Sequence, residues 1–318
     1  MKPLIARERK TWISAVVADS WLCRQSQAGR AEAHGRSPVA TIDSRETTLE
    51  LITMTGASGR IASALRPLLA ADSRRLRLVD VVEPDVEPGD GEEFTALSIT
   101  DLDGMVRACA GAQALIHLGA DASEREWPEL DQTNITGTYV ALESARQAGV
   151  RTVFLASSLH AAGFETIARA NRSPMPKARP DTLYGFTKAA AEALGSLYAD
   201  RFGMTVIAAR IMEFHDQPKD ERGRWLWLSP ADAGRLVEAS IQLEEPGFHV
   251  VWGVSRNRWS DAALDPGTRI GFRPEDVADK HLDAVASSEE VDPELELLAG
   301  TFIDEKHRIG EDWTRTVE

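Results

Sequence analysis

Cysteine is nearly missing from this chain: Cys23 and Cys109 are the only two in 318 residues. Two distant thiols build neither a disulfide framework nor a metal-ligand spacing. That is the usage of a reducing cytoplasm, so a cytoplasmic protein without a metal centre is expected. Also missing is any run of about eighteen apolar residues, so no bilayer-spanning segment is expected. Positive charge is in deficit, with a net charge of −14. Nucleic acid and anionic membranes both require a basic face, and neither is expected as a partner. An anionic sugar is not excluded on that ground, because one local arginine overrides a global charge. Internal repeats and low-complexity segments are absent too. What is present is 43% hydrophobic residues, enough for one large core, in alternating strand-like and helix-like patterns. That alternation marks an α/β layered fold.

The segment Tyr184-Gly-Phe-Thr-Lys188 places a phenol and an ammonium on one face of a helix. Tyrosine ordinarily titrates near ~10, too high for a base at neutral pH. A fixed ammonium beside it favours the phenolate, which suits removal of an alcohol proton while a hydride leaves for a dinucleotide. Alone, the pattern reads equally as a surface lysine beside a packing tyrosine. Three further features strengthen it.

The first is Thr55-Gly-Ala-Ser-Gly-Arg-Ile-Ala62, after a strand-like run from Leu49 to Met54. Gly56 allows the tight turn and Gly59 lets the backbone approach a pyrophosphate at a helix start, while Ala62 replaces the third fingerprint glycine. Ser58, Arg60 and Ile61 share this expected cofactor cradle. A second strand, Leu76 to Val82, carries Asp80 near its end. An acid about twenty residues past the glycines accepts the ribose hydroxyls and repels a 2′-phosphate, which favours NAD over NADP. Arg74 and Arg75 precede that strand and read as solvated turn charges.

The second feature is Asn134, in a helix expected from about Glu129 to Ala148 and stopped by Gly149. Asparagine inside a helix carries a propensity cost, so a catalytic or structural reason is expected. The third is a buried strand, Val153 to Ser158, whose carboxyl end brings Ser158 to the substrate oxygen that Tyr184 serves.

With these residues in this order, the chain resembles the extended short-chain dehydrogenase/reductase superfamily (the NAD-dependent epimerase/dehydratase group). Within it the chain is most similar to the uronate dehydrogenases, over about Leu49 to His307. The quotable stretches are His117-Leu-Gly119, Val153 to His160, Arg179 to Gly185, Val250-Val-Trp-Gly253 and Gly300-Thr-Phe-Ile-Asp304. The resemblance implies a Rossmann-type doubly wound parallel sheet with a small C-terminal substrate-binding cap. It implies NAD as cofactor and oxidation of the anomeric carbon of a uronic acid or related aldose to a lactone. Tyr184 would be the base and Lys188 its electrostatic partner and ribose ligand. Ser158 would polarise the reacting hydroxyl, Asn134 would hold a relay water, and Leu118, Gly119 and Ala120 would line the cofactor. The acid that meets the adenine amino group is replaced by Ser98, followed by Ile99.

At the substrate end the family's His160 and Arg222 are kept, and an arginine fork suits a carboxylate. Ala122, Leu159 and Glu213 stand where the family carries serine, asparagine and serine, with Ser123 able to cover for the first. A carboxylate at Glu213 repels a carboxylate substrate unless it is paired, and pairing with Arg222 would occupy the fork. Other readings stay open: His160 as a structural histidine, Arg222 as a loop charge, and Arg224 reaching inward instead. Trp225 and Trp227 are either a lid over a sugar face or anchors of their loop.

The chain divides into residues 1–46, 47–210 and 211–318. The first is a basic extension with eight lysines and arginines against five acids, read as a disordered tail or a start assigned too far upstream. Its apolar stretch is too short for a signal peptide. The second is the NAD-binding core. The third is a substrate-side cap interleaved with the last strands, plus a tail. Within it, Ser229-Pro-Ala-Asp232 starts a helix to about Leu243, with Asp232 as a capping-box acid. Pro67 should kink the first helix or end it early. A homo-oligomer, dimer or larger, is expected. Two activities remain: a dehydrogenase, or a redox-neutral sugar epimerase using the same Tyr184 and Lys188. The short C-terminal region favours a small free substrate, and a protein that only senses NAD would not need Ser158, Tyr184 and Lys188 together.

Overall fold

The computed structural model describes residues 50–71, 73–282 and 291–313. The expectations for the extension 1–46 and for the end of the tail fall outside the described residues. In chain order the elements begin β1 (Glu50–Thr55), α1 (Arg60–Leu69), β2 (Arg74–Asp80), β3 (Glu92–Ala96), α2 (Leu102–Cys109) and β4 (Ala114–His117). Then come α3 (Trp127–Leu130), a π-helical turn (Asp131–Thr136) continuous with α4 (Gly137–Ala148), and β5 (Thr152–Ser158). They continue with α5 (Ile167–Ala170), α6 (Leu183–Phe202), β6 (Thr205–Ile211), β7 (Glu213–Phe214) and α7 (Gly223–Leu226). The last are β8 (Trp227–Leu228), α8 (Pro230–Ile241), β9 (Gly247–Gly253) and α9 (Asp261–Arg269).

Seven strands form one sheet in the order β3-β2-β1-β4-β5-β6-β9, every neighbouring pair parallel. Strand order reverses between β1 and β4, the switch point where open α/β sheets place ligands. The central strands β4, β5 and β6 read as near-continuous apolar runs because both faces are covered. One face buries Leu65, Leu69, Leu236 and Val237 of α1 and α8. The other buries Met105, Val140, Ala141 and Tyr198 of α2, α4 and α6. A third cluster around Trp252, Trp259 and Leu298 sits beneath the cap. Residues 211–318 return one strand, β9, to the sheet.

Several local expectations change. Strand β2 begins at Arg74 and ends at Asp80, two residues before the expected limit. Arg74 is no solvated turn charge. Its guanidinium bonds Glu50 at 2.7 Å and Glu238 at 2.8 Å, tying the first strands to α8. Both partners lie far away in sequence, which is why composition alone misread it. Helix α1 runs two residues past Pro67 before stopping at Leu69, so the proline sits in the final turn. Helix α8 ends at Ile241, short of Leu243, and half of its expected capping box is missing. The Ser229 hydroxyl accepts Asp232 N–H at 2.9 Å, but the Asp232 carboxylate does not reach back. It accepts the N–H groups of Glu275 and Asp276 at 2.8 and 3.0 Å and pairs with Arg235.

Candidate active site

Gly56 follows β1 with φ +66°, and a Cβ there would lie 2.7 Å from the backbone of Leu118 and Gly119. Only glycine permits this approach of the β1 and β4 loops across the switch point. Helix α1 starts immediately after Gly59, which offers no side-chain cap. Its first N–H groups therefore face a cavity of about 630 Å³ lined by Gly56, Gly59, Arg60 and Ile61. The opposite walls are Asp80, Ser98, Ile99, Leu118, Gly119 and Ala120. Ten expected cofactor residues thus share one cavity. Ser58 is not on its wall. The Ser58 backbone N–H donates to Asp80 Oδ2 at 3.0 Å and its hydroxyl to the Val82 carbonyl, so it closes the loop. Asp80 Oδ1 accepts Val81 N–H at 2.7 Å, which aims the carboxylate along the cavity rim.

A second cavity of about 560 Å³ shares Arg60, Ile61, Leu118, Ala120 and Ala122 with the first. It holds Ser123, Ser158, His160, Tyr184, Lys188, Glu213 and Arg222, so every expected substrate residue lines it. Together the two form one cleft over the carboxyl ends of the central strands.

Tyr184 stands in the first turn of α6, where Thr182 caps the helix by accepting Gly185 N–H at 2.8 Å. Burial pushes Tyr184 up to about 12, against a smaller opposing pull from the Ser158 hydroxyl. Lys188 is buried, and its ammonium donates to the Ala156 carbonyl of β5 at 2.8 Å. It lies 5.6 Å from the centre of the Tyr184 ring. Burial lowers Lys188 to about 8. His117, bonded to Thr55 Oγ1 at 2.8 Å, is held to about 3 by burial first and by Lys188 second. It is therefore neutral and adds no competing charge.

His160 is a pocket histidine with a fixed orientation. Its Nδ1 meets Asp181 Oδ2 at 2.6 Å, and the buried Asp181 carboxylate is wedged between Gly163 and Gly185. The other ring nitrogen is left for the cavity, with the ring edge-on to Phe302 at 4.7 Å. Asn134 occupies the π-helical turn but lines neither cavity. Its Oδ1 accepts Asp121 N–H at 2.8 Å, and its Nδ2 donates to the Asp121 carbonyl and to Thr187 Oγ1, each at 3.0 Å. The side chain thus locks the Asp121 turn to α6 and has no N–H left for a relay water.

Arg222 reaches the pocket, but its fork is occupied. Nε donates to Glu213 Oε1 at 3.4 Å, Nη1 to Glu296 and to the Leu297 carbonyl, and Nη2 to the Leu298 carbonyl at 3.0 Å. Burial raises the Glu213 carboxyl, against the opposing pull of Arg222. Arg224 turns away to Glu221 and Asp279. Trp225 and Trp227 are anchors and not a lid: Trp227 is buried, donating to the His215 carbonyl at 2.7 Å, and Trp225 packs against the Trp252–Trp259 cluster while its backbone carbonyl accepts the Trp259 indole N–H. The aromatic wall is instead Phe302 and Trp313. The expectations above also omitted Glu124, Asp181 and Glu296. Asp181 and Thr182 immediately before Tyr184 form a visible helix-start signal, whereas Glu124 and Glu296 act across the fold and carry no local pattern.

A doubly wound sheet, a glycine cradle at its switch point and a Tyr-x-x-x-Lys helix along the same cleft define a dinucleotide-binding oxidoreductase architecture. Residues 52–214 match the model of the NAD dependent epimerase/dehydratase family, and the chain belongs to that family. A uronate dehydrogenase of Pseudomonas syringae pv. tomato is 32% identical over 83% of this chain and 97% of its own. An L-arabinose 1-dehydrogenase (NAD(P)(+)) of Haloferax volcanii is 29% identical over 71% of this chain and 96% of its own. A crystal structure of an Agrobacterium tumefaciens uronate dehydrogenase superposes with a TM-score of 0.73. It is 30% identical and covers 82% of this chain and 99% of that one.

Proposed function

We propose that this protein is an NAD-dependent dehydrogenase oxidising the anomeric carbon of a uronic acid or related aldose to its lactone. The observation that carries the reading is the convergence of Ser158, Tyr184 and Lys188 on a cavity continuous with the glycine cradle. The residues present fit the dinucleotide. The Gly56–Gly119 approach leaves no room for a Cβ, the α1 N-terminus faces the cavity, and Asp80 stands where ribose hydroxyls need an acceptor. Bound NAD supplies the hydride acceptor and a cationic ring.

The protein's part is proton management and positioning. The Ser158 hydroxyl donates to the anomeric oxygen and holds it beside the Tyr184 phenol. The phenolate removes the hydroxyl proton as the carbon–hydrogen bond breaks. Tyr184 at about 12 is far from that state in the protein alone, so positive charge must lower it. Lys188, fixed by the Ala156 carbonyl, supplies one such charge. His160, held by Asp181, offers its free ring nitrogen to a sugar hydroxyl. Asn134 acts as a positioning residue that keeps α6 against the Asp121 turn.

The test is net accumulation of NADH with uronic acids and neutral aldoses, with the lactone identified in the product. A redox-neutral epimerase would return its hydride and accumulate none. Exposed Tyr139, Phe186, Leu197 and Phe202 on α4 and α6 support the homo-oligomer expectation, which light scattering checks. Among the described residues no helix is long and apolar enough to cross a membrane.

A further inference from the structure

The sugar end of the cleft is built from a cation with more carboxylate than it needs. Arg222 directs its donors at Glu213 of β7, at Glu296 and at the Leu297 and Leu298 carbonyls. Gly300 closes on it from the same segment: a Cβ there would sit 2.8 Å from the Arg222 guanidinium carbon. The fork is thus clamped between β7 and the segment that carries Phe302, with its donors already engaged. Two carboxylates against one guanidinium leave this corner formally negative. An apolar patch adjoins it, with Leu159 buried beside His160 and with Met212 and Phe302 on the same wall. Arg60, over the Phe214 ring at 5.8 Å, and Lys219 are the other cations at this end, and both are exposed at the rim, where an ion pair contributes little.

A uronate carboxylate entering here must approach Glu213 while finding its natural partner already bonded. Like charges at such range oppose binding, and displacing Glu213 or Glu296 would break the clamp on the 296–300 segment. A sugar hydroxyl has the reverse fit. Glu213 Oε1 bonds Arg222 at 3.4 Å, and Oε2 has no partner among the described residues, so it remains an acceptor for an O–H donor. A hydrogen bond to an ionised acceptor is stronger than one between neutral groups.

Resting on the dehydrogenase reading above, we propose that the substrate is a neutral aldose, with a hydroxyl-bearing group or hydrogen where a uronate carries its carboxylate, and that Glu213 is the specificity-determining acceptor. Leu159 and Met212 pack against the carbon skeleton on that side. The reaction itself is unchanged, since only the end of the sugar remote from the anomeric carbon differs.

Matched pairs test this directly: D-galactose against D-galacturonate and D-glucose against D-glucuronate, with NAD and the full chain. The proposal expects kcat/KM for the better neutral sugar to exceed that for its uronate by about tenfold or more. The double variant Glu213→Ser with Glu296→Gln, which removes both carboxylates paired with Arg222, should reverse the preference. Wild-type preference for the uronates overturns the proposal and leaves the dehydrogenase reading standing, as does a uronate preference that disappears in Lys219→Met. Calorimetry on the NADH-bound protein separates the two ideas. Tighter binding of the neutral sugar without any NADH formation from NAD keeps the proposal and overturns the dehydrogenase reading. Tighter binding of the uronate, or no binding of either sugar, overturns the proposal.

Discussion

The Glu124 carboxylate accepts the backbone N–H of Tyr184 at 2.7 Å, although sixty residues separate them. The same carboxylate accepts Leu183 N–H at 3.3 Å and Gly310 N–H at 2.9 Å. One buried acid therefore caps the helix that carries the phenol and ties down the segment that walls the pocket. Capping by a carboxylate also suits the positive end of a helix dipole. Glu124→Ala should leave these donors unsatisfied and lower folding stability by about 1–3 kcal/mol. It should also reduce kcat, because Tyr184 loses its fixed position. Denaturant unfolding and steady-state kinetics on one preparation check both, and unchanged values in each would refute the latch.

Lys188→Met should weaken cofactor binding and turnover together. The wild-type kcat/KM should fall as pH falls, because protonation removes the phenolate of Tyr184. Without the ammonium, that limb should move to higher pH, toward the value of about 12 set by burial. A pH profile with unmoved limb, or an effect confined to the KM for sugar, contradicts the role given to Lys188.

Asp80→Ser should narrow the preference for NAD over NADP by relieving repulsion of a 2′-phosphate. The same change removes the acceptor of Ser58 and Val81 N–H groups, so affinity for NAD should fall as well. Equal wild-type use of both cofactors would contradict this reading.

Arg74→Met should destabilise the fold on the order of 1–3 kcal/mol, since the guanidinium joins Glu50 and Glu238 while only partly screened by solvent. The paired Glu238 carboxyl is held below its usual range by Arg74 first. Its contribution is therefore present above the ordinary carboxylate pKa and is lost as pH falls through the lowered one. A variant with wild-type stability at neutral pH would refute this.

Much of the fold was readable because it is local. Gly56, Gly59 and Asp80 declare a strand–turn–helix and the strand that follows by spacing alone, and apolar runs in β4, β5 and β6 mark a covered sheet. The proposed catalytic set was readable for the same reason: Ser158 ends a strand, and Tyr184 and Lys188 share one helix face. What sequence misjudged depends on distant partners. Arg74 reads as a turn charge until Glu238 arrives from α8, and the partners that hold the Asn134 amide, Asp121 and Thr187, come from elsewhere in the fold. The suspicion that Glu213 would occupy Arg222 was sound, but Glu296 completes the clamp from a segment with no pattern to announce it.

The most direct test of the account is Tyr184→Phe, read by NAD binding and by NADH formation in parallel. Removing the phenol leaves the cradle of Gly56, Gly59 and Asp80 intact, so binding of NAD should stay near the wild-type level. Turnover with the best sugar should drop by at least ~10²-fold, as expected for loss of a general base. Near-normal turnover in Tyr184→Phe would contradict the mechanism.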